Sequence, residues 1–95
     1  VQVIIALIFN KNSFKNKIYH FANSGKTSWY NFAKKIISNK KTRCKLIPVS
    51  SSFFNYEAIR PKNSSLSTKF IENTLNLGIR SWDLSLKDCL KLIDE

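Results

Sequence analysis

The sequence predicts an α/β fold with short strands and about four helices. Two short runs rich in β-forming residues, IYHFA at 18–22 and CKLIPV at 44–49, read as strands. Between them Trp29, Phe32, Ala33, Ile36 and Ile37 fall at i, i+3, i+4, i+7 and i+8, the stripe of an amphipathic helix. Further helical stretches follow the second run. Two strands are too few for a free-standing sheet, so the set reads as part of a larger α/β architecture.

The elements follow in order. Residues 1–9, VQVIIALIF, are apolar except Gln2. They are too few to cross a bilayer, which needs about 20 residues. They also lack the basic flank and cleavage site of a signal peptide. As a helix they would be apolar nearly all round, which implies burial on several sides. The chain starts at Val1 and has no Met. Together these features predict an internal helix of a longer protein. Residues 10–17, NKNSFKNK, are a polar loop. After the first strand a turn at Asn23, Ser24 and Gly25 leads to Ser28, whose hydroxyl suits a helix N-cap. Pro48 places the second strand at an edge or a strand end.

Residues 50–62 form a long irregular connection with two adjacent aromatics, Phe53 and Phe54. Loops of this length in a small domain are often functional. Ser67 is the expected cap of a short helix carrying Phe70, Ile71 and Leu75, with Gly78 as its left-handed C-terminal residue. Ser81 is the expected cap of a last helix with Trp82, Leu86, Cys89, Leu90 and Ile93 on one face. No internal repeat or low-complexity segment interrupts this order.

The net charge of +10 is uneven. Residues 1–45 hold ten Lys or Arg and no acidic residue, and residues 46–95 hold six of each sign. A basic half invites a nucleic-acid reading. The lysines are scattered, however, and no Arg-dense stripe with interleaved aromatics provides a stacking platform. Lys and Asn together make 23 of 95 residues, as simple surface filling does. Nucleic acid and membrane are therefore not the expected partners. Cys44 and Cys89 have no metal-ligand spacing, and His20 is the one histidine. That is too little for a four-ligand zinc site. Reduced structural thiols and a cytoplasmic setting fit this usage.

Two enzyme signatures overlap in the first half. Gly25-Lys26-Thr27 matches the tail of a phosphate-binding loop, but its first glycine would fall on His20. A tight strand-to-helix turn explains it better. Tyr30 and Lys34 have the Tyr-x-x-x-Lys spacing in which a lysine lowers a phenol pKa for proton transfer. That chemistry also needs a dinucleotide loop, and the chain has only two glycines.

In combination the landmarks are more specific. YHFANSGKTSWYNFAKKI, IPVSS, AIRPKNSSLSTKFIE and LGIRSWDLSLKDCL, in that order, resemble the C-terminal part of dTDP-4-dehydrorhamnose reductases. These belong to the extended short-chain dehydrogenase/reductase group. The matching positions include Tyr19, His20, Gly25, Ser28, Trp29 and Tyr30, then Arg60, Pro61, Asn63 and Ser64, then Gly78, Ile79 and Trp82. Asn31 replaces an acidic residue, and Asn55, Tyr56 and Glu57 stand where prolines are common.

The resemblance implies the C-terminal substrate-binding segment of a Rossmann-type enzyme. Residues 1–17 would lead from a dinucleotide-binding domain, and residues 18–95 would form the substrate-binding subdomain. NADPH and the catalytic Tyr-x-x-x-Lys would belong to the N-terminal part, leaving no catalytic, cofactor or metal residue here. Tyr30 and Lys34 then share that spacing by coincidence. The implied ligand is dTDP-4-dehydro-L-rhamnose. Non-catalytic relatives, such as the regulatory β subunit of methionine adenosyltransferase, resemble the same reductases and remain an alternative. So does a small basic nucleic-acid-binding protein.

Arg60 is the leading site residue implied by this match, because a guanidinium binds diphosphate oxygens bidentately. An exposed or helix-pairing arginine is the competing reading. Asn63 and Ser64 are candidates for substrate hydrogen bonds or for fixing the loop's own backbone. Trp29 is a candidate wall of the nucleotide pocket, although its place on the apolar stripe favours core packing. Trp82 and His20 read as structural. The isolated chain is expected to be poorly soluble or molten.

Overall fold

Parallel pairing of two distant segments organises the chain. This computed structural model describes residues 1–10 and 18–94. The polar loop expected at 10–17 lies outside the described residues apart from Asn10, as does Glu95. Four α-helices are formed among the described residues: α1 (Gln2–Phe9), α2 (Trp29–Asn39), α3 (Lys69–Leu75) and α4 (Trp82–Ile93). Among the described residues a 3-10 turn spans Ser51–Phe53. None of these helices is long and apolar enough to cross a membrane.

The Ser24 N–H donates to the Arg80 carbonyl at 2.9 Å, and the Trp82 N–H donates to the Ser24 carbonyl at 3.0 Å. This is a parallel bridge between Ser24 and Ser81. Each strand-like residue is followed by a helix, so α2 and α4 set out side by side. Their first turns meet where the Phe32 and Trp82 rings lie 6.1 Å apart. Their far ends meet where Lys40 Nζ lies 2.9 Å from Asp94 Oδ1. Phe32, Ala33, Ile36 and Ile37 are partly buried along this seam, and Leu90 is buried. Ser28 starts α2 as expected: its Oγ accepts from the Asn31 N–H at 3.1 Å. That bond satisfies one of the orphan donors of the first turn.

Gly25 is required for this geometry. Its φ is +88°, and a Cβ there would lie 3.0 Å from Trp82 Cδ1. The glycine of Gly25-Lys26-Thr27 thus serves a tight turn that admits the indole. Elsewhere Asn10 Nδ2 donates to the Thr74 carbonyl at 3.0 Å, which ties the end of α1 to the last turn of α3. Ile71 of α3 is the most buried residue, at 1% exposure.

Several expectations need correction. Neither 18–22 nor 44–49 forms a strand among the described residues. A strand exists only through hydrogen bonds to a neighbour, and these segments have no ladder to join. Helix α3 starts from Thr68, not Ser67. The Thr68 hydroxyl donates to Glu72 Oε2 at 3.0 Å instead of capping the backbone. Its left-handed C-terminal residue is Asn76 (φ 48°, ψ 46°), not Gly78. Asn tolerates that region, and the Leu77 N–H then reaches back to the Glu72 carbonyl at 3.3 Å. Phe70, Cys89 and Ile93 are exposed, because only part of each helical stripe meets a partner.

Helix α1 is not buried on several sides. Ile4, Ile8 and Phe9 are exposed. The whole chain shows the same openness. Its radius of gyration is 17.2 Å, against about 12 Å for a compact domain of this length. Its accessible surface is 8816 Å², against about 5,600 Å² for a folded monomer of this mass.

Candidate functional site

The candidate site is the loop from residue 50 to residue 66, which begins with a small self-contained turn. The Phe53 N–H donates to the Ser50 carbonyl at 3.0 Å, and the Phe54 N–H donates to the Ser51 carbonyl at 3.3 Å. The Ser50 and Ser52 hydroxyls share a hydrogen bond of 2.7 Å. The Tyr56 N–H then donates to the Phe54 carbonyl at 3.1 Å, which tightens the chain over three residues.

This path stacks the aromatic side chains. Phe53 meets Phe54 edge to face at 5.3 Å. Phe54 stacks on Tyr56 at 5.5 Å with planes 29° apart. Arg60 closes the series, with its Cζ 5.1 Å from the centre of the Tyr56 ring. A cation over an aromatic face is attracted by the ring quadrupole. Pro61 biases the Arg60 backbone towards an extended conformation. Arg60 makes no hydrogen bond or ion pair among the described residues. Its N–H donors therefore remain available to an anion. Arg80 contrasts with it: its Nη1 donates to Asp88 Oδ2 at 2.7 Å.

The other sequence-derived candidates divide. Asn63 Oδ1 accepts from the Ser65 N–H at 3.1 Å and from the Ser65 hydroxyl at 2.7 Å. This is an Asx-type turn, so the Asn63 carbonyl fixes the loop's own backbone. Ser64 is exposed, and its hydroxyl has no hydrogen bond among the described residues. Trp29 is 87% exposed, and its ring meets Phe32 edge to face at 6.2 Å. The stripe on which it sits does not bury it, because α4 covers the stripe from Phe32 onward. No hydrogen bond or ring contact joins Trp29 to the loop among the described residues. Arg60, Asn63 and Ser64 thus share one loop, and Trp29 stands apart on α2. Trp82 is partly buried against Gly25 and Phe32, and His20 is exposed.

Among the described residues two carboxyl groups are perturbed, both on α4 and outside the loop. A hydrogen bond from the Ser81 hydroxyl holds the Asp83 carboxyl below its usual range. The Arg80 hydrogen bond, and then its charge, do the same for Asp88. Two open clefts lie beside α1. One, of about 340 Å³, is walled by Val3, Ala6, Phe21 and residues 77–80. The other, of about 580 Å³, includes Leu7, Tyr19 and Ile71. Neither is lined by a candidate residue. Among the described residues no group of three or more His, Cys, Asp or Glu side chains is placed to hold a metal ion.

Sequence reasoning missed Tyr56 and Phe54 as functional neighbours of Arg60. The signal was there: Arg60 lies four positions after Tyr56, and Phe54 lies two positions before it. It became readable only once the tight turn at Tyr56 was known. What this arrangement offers chemically is a guanidinium held over an aromatic ring, with no hydrogen bond or ion pair among the described residues. A guanidinium of this kind is chemically suited to binding an anion.

Known proteins resemble the chain over most of its length. The chain is 24% identical over 87 residues to a dTDP-4-dehydrorhamnose reductase of Burkholderia thailandensis, covering 83% of this chain and 29% of the relative. It is 32% identical over 74 residues to the spore coat polysaccharide biosynthesis protein SpsK of Bacillus subtilis, covering 78% of this chain and 26% of the relative. The chain thus spans less than a third of the length of these curated relatives. No solved structure matches it significantly. Residues 1–94 match the profile of the RmlD substrate binding domain, and the chain belongs to that family.

Proposed function

We propose that this chain is the nucleotide-sugar-binding, C-terminal part of an NADPH-dependent dTDP-4-dehydrorhamnose reductase. The whole enzyme would pass a hydride from NADPH to C4 of dTDP-4-dehydro-L-rhamnose and a proton to the C4 oxygen, giving dTDP-L-rhamnose. Residues 1–17 would lead from the dinucleotide-binding domain, and residues 18–95 would form the substrate side of an α/β enzyme of the extended short-chain dehydrogenase/reductase group. That domain supplies NADPH and the catalytic groups, so this chain alone is expected to catalyse nothing. A cytoplasmic setting suits a reaction supplied by NADPH.

Family membership over residues 1–94 is the observation that carries this reading. The exposed apolar surface of α1 supports it, because an adjoining domain would cover such a face. At the site, Arg60 supports it with a guanidinium that no carboxylate neutralises among the described residues. A diphosphate is the part of a nucleotide-sugar that such a group recognises. Asn63 and Ser64 would add hydrogen bonds beside it, the first through its amide N–H groups and the second through its hydroxyl. Trp29 would meet the ligand only if an adjoining domain brings the ligand across from the loop.

The gene upstream of Val1 tests the proposal first. An in-frame glycine-rich turn, a Ser or Thr and a Tyr-x-x-x-Lys are expected, together with NADPH consumption by the encoded protein in the presence of dTDP-4-dehydro-L-rhamnose. An open frame lacking that Tyr and Lys would remove the enzyme assignment and favour a non-catalytic relative.

A further inference from the structure

We propose that Tyr56 is a positioning residue: its ring face holds the Arg60 side chain so that the guanidinium N–H groups point at the diphosphate. This rests on the diphosphate-binding role proposed above for Arg60. An exposed arginine samples many rotamers, and each one not used for binding weakens the site. Here the Arg60 Cζ lies over the Tyr56 ring at 5.1 Å. A cation–π contact needs no hydrogen-bond acceptor on the ring, and hydrogen bonding to phosphate uses the guanidinium N–H groups. The two interactions are therefore compatible, and the first restricts the geometry of the second.

Tyr56 is itself braced. Phe54 stacks on it at 5.5 Å, and Phe53 meets Phe54 at 5.3 Å from the 3-10 turn. The Tyr56 backbone is tied to Phe54 as well. Arg60 is thus supported from both sides, by Pro61 along the chain and by the aromatic series through space. The ring, not the hydroxyl, makes the contact with Arg60.

The test is a double-mutant cycle on dTDP affinity, measured by titration calorimetry on the protein as its gene encodes it. Arg60→Met is expected to weaken dTDP binding. Tyr56→Leu is expected to weaken it by about two- to fivefold, the range of an exposed cation–π contact. Tyr56→Phe should bind like the unmodified protein, because the ring face is kept. In an Arg60→Met background, Tyr56→Leu should cost nothing further, since a positioning residue has no effect without the group it positions. An equal loss in both backgrounds would mean that Tyr56 acts on the loop generally, and would overturn the inference. So would unchanged affinity in Tyr56→Leu, or a loss in Tyr56→Phe matching that in Tyr56→Leu. In those cases an Arg60→Met defect would leave the diphosphate reading standing. Unaltered affinity in Arg60→Met, or no dTDP binding at all, would overturn that reading and the inference with it.

Discussion

The paired helices α2 and α4 and the loop from residue 50 to residue 66 hold their shapes in different ways. In the pair, the defining contacts join residues far apart in sequence: Ser24 with Arg80 and Trp82, Phe32 with Trp82, and Lys40 with Asp94. In the loop, the defining contacts stay within four residues: Phe53 with Phe54, Phe54 with Tyr56, Tyr56 with Arg60, and Asn63 with Ser65. Long-range contacts bury side chains and neutralise charge. Short-range contacts orient side chains and leave them at the surface. The two arginines differ between the regions, although the Arg80 bond to Asp88 spans only eight positions. Arg80, in the paired region, is bonded to Asp88. Arg60, in the loop, makes no hydrogen bond or ion pair among the described residues. The diphosphate-binding role proposed for Arg60 needs orientation without neutralisation, and the loop contacts are consistent with that combination.

The sharpest test of this contrast compares one residue from each region. Gly25→Ala adds a Cβ 3.0 Å from the Trp82 ring at a φ of +88°. The expected cost is about 1–3 kcal/mol of stability, read as a lower melting temperature or denaturation midpoint. Tyr56→Leu in the loop should change stability by less than about 0.5 kcal/mol, while its effect on dTDP binding persists. Equal losses of stability would show that the loop is part of the folded core and would break the comparison.

Ser28 gives a smaller effect within the paired region. Ser28→Ala removes the acceptor for the Asn31 N–H and should cost about 1 kcal/mol. Ser28→Asp should recover most of it, because a carboxylate caps equally well and suits the positive end of the helix. Failure of Asp to recover it would mean that the Ser28 contribution lies in packing and not in the cap.

These sites also mark what was legible in the sequence. The Ser28 cap, the stripe from Phe32 to Ile37, the start of α4 after Ser81 and the irregular run containing Arg60 follow from local chemistry, which neighbouring residues decide. The strands expected at 18–22 and 44–49 could not be settled that way. β-forming side chains favour extended backbone, but a ladder needs a partner strand. Gly78 and Asn76 are both able to take a left-handed conformation, and the choice between them depends on where α3 loses its last hydrogen bond. The exposure of Trp29, Phe70 and Cys89 was hidden for a further reason. A periodic stripe says which side of a helix is apolar, not how much of that side finds a neighbour. For the candidate site, the local role of Asn63 was among the readings available from composition. The Tyr56–Arg60 contact was not, because it depends on the turn at Tyr56 and on side-chain rotamers.

The smallest expected effect concerns Asp88, and it tests whether Arg80 is neutralised in solution. The hydrogen bond from Arg80, followed by its charge, lowers the Asp88 pKa below the ordinary 3.8. A depressed carboxylate pKa means that the folded state binds the proton less readily than the unfolded chain. The stabilising contribution is then present above the unfolded pKa and is lost as pH falls through the folded value. Both groups are exposed, so salt should weaken the effect. Carbon-detected NMR titration of the carboxyl groups should show Asp88 titrating low in the unmodified protein and moving up towards the ordinary value in Arg80→Met. Asp83, depressed first by its bond to Ser81, should scarcely move in that variant. An Asp88 that titrates normally with Arg80 present would mean that the pair is not held in solution. Arg80 would then be as free as Arg60, and the availability of N–H groups would no longer favour the loop as the proposed diphosphate site.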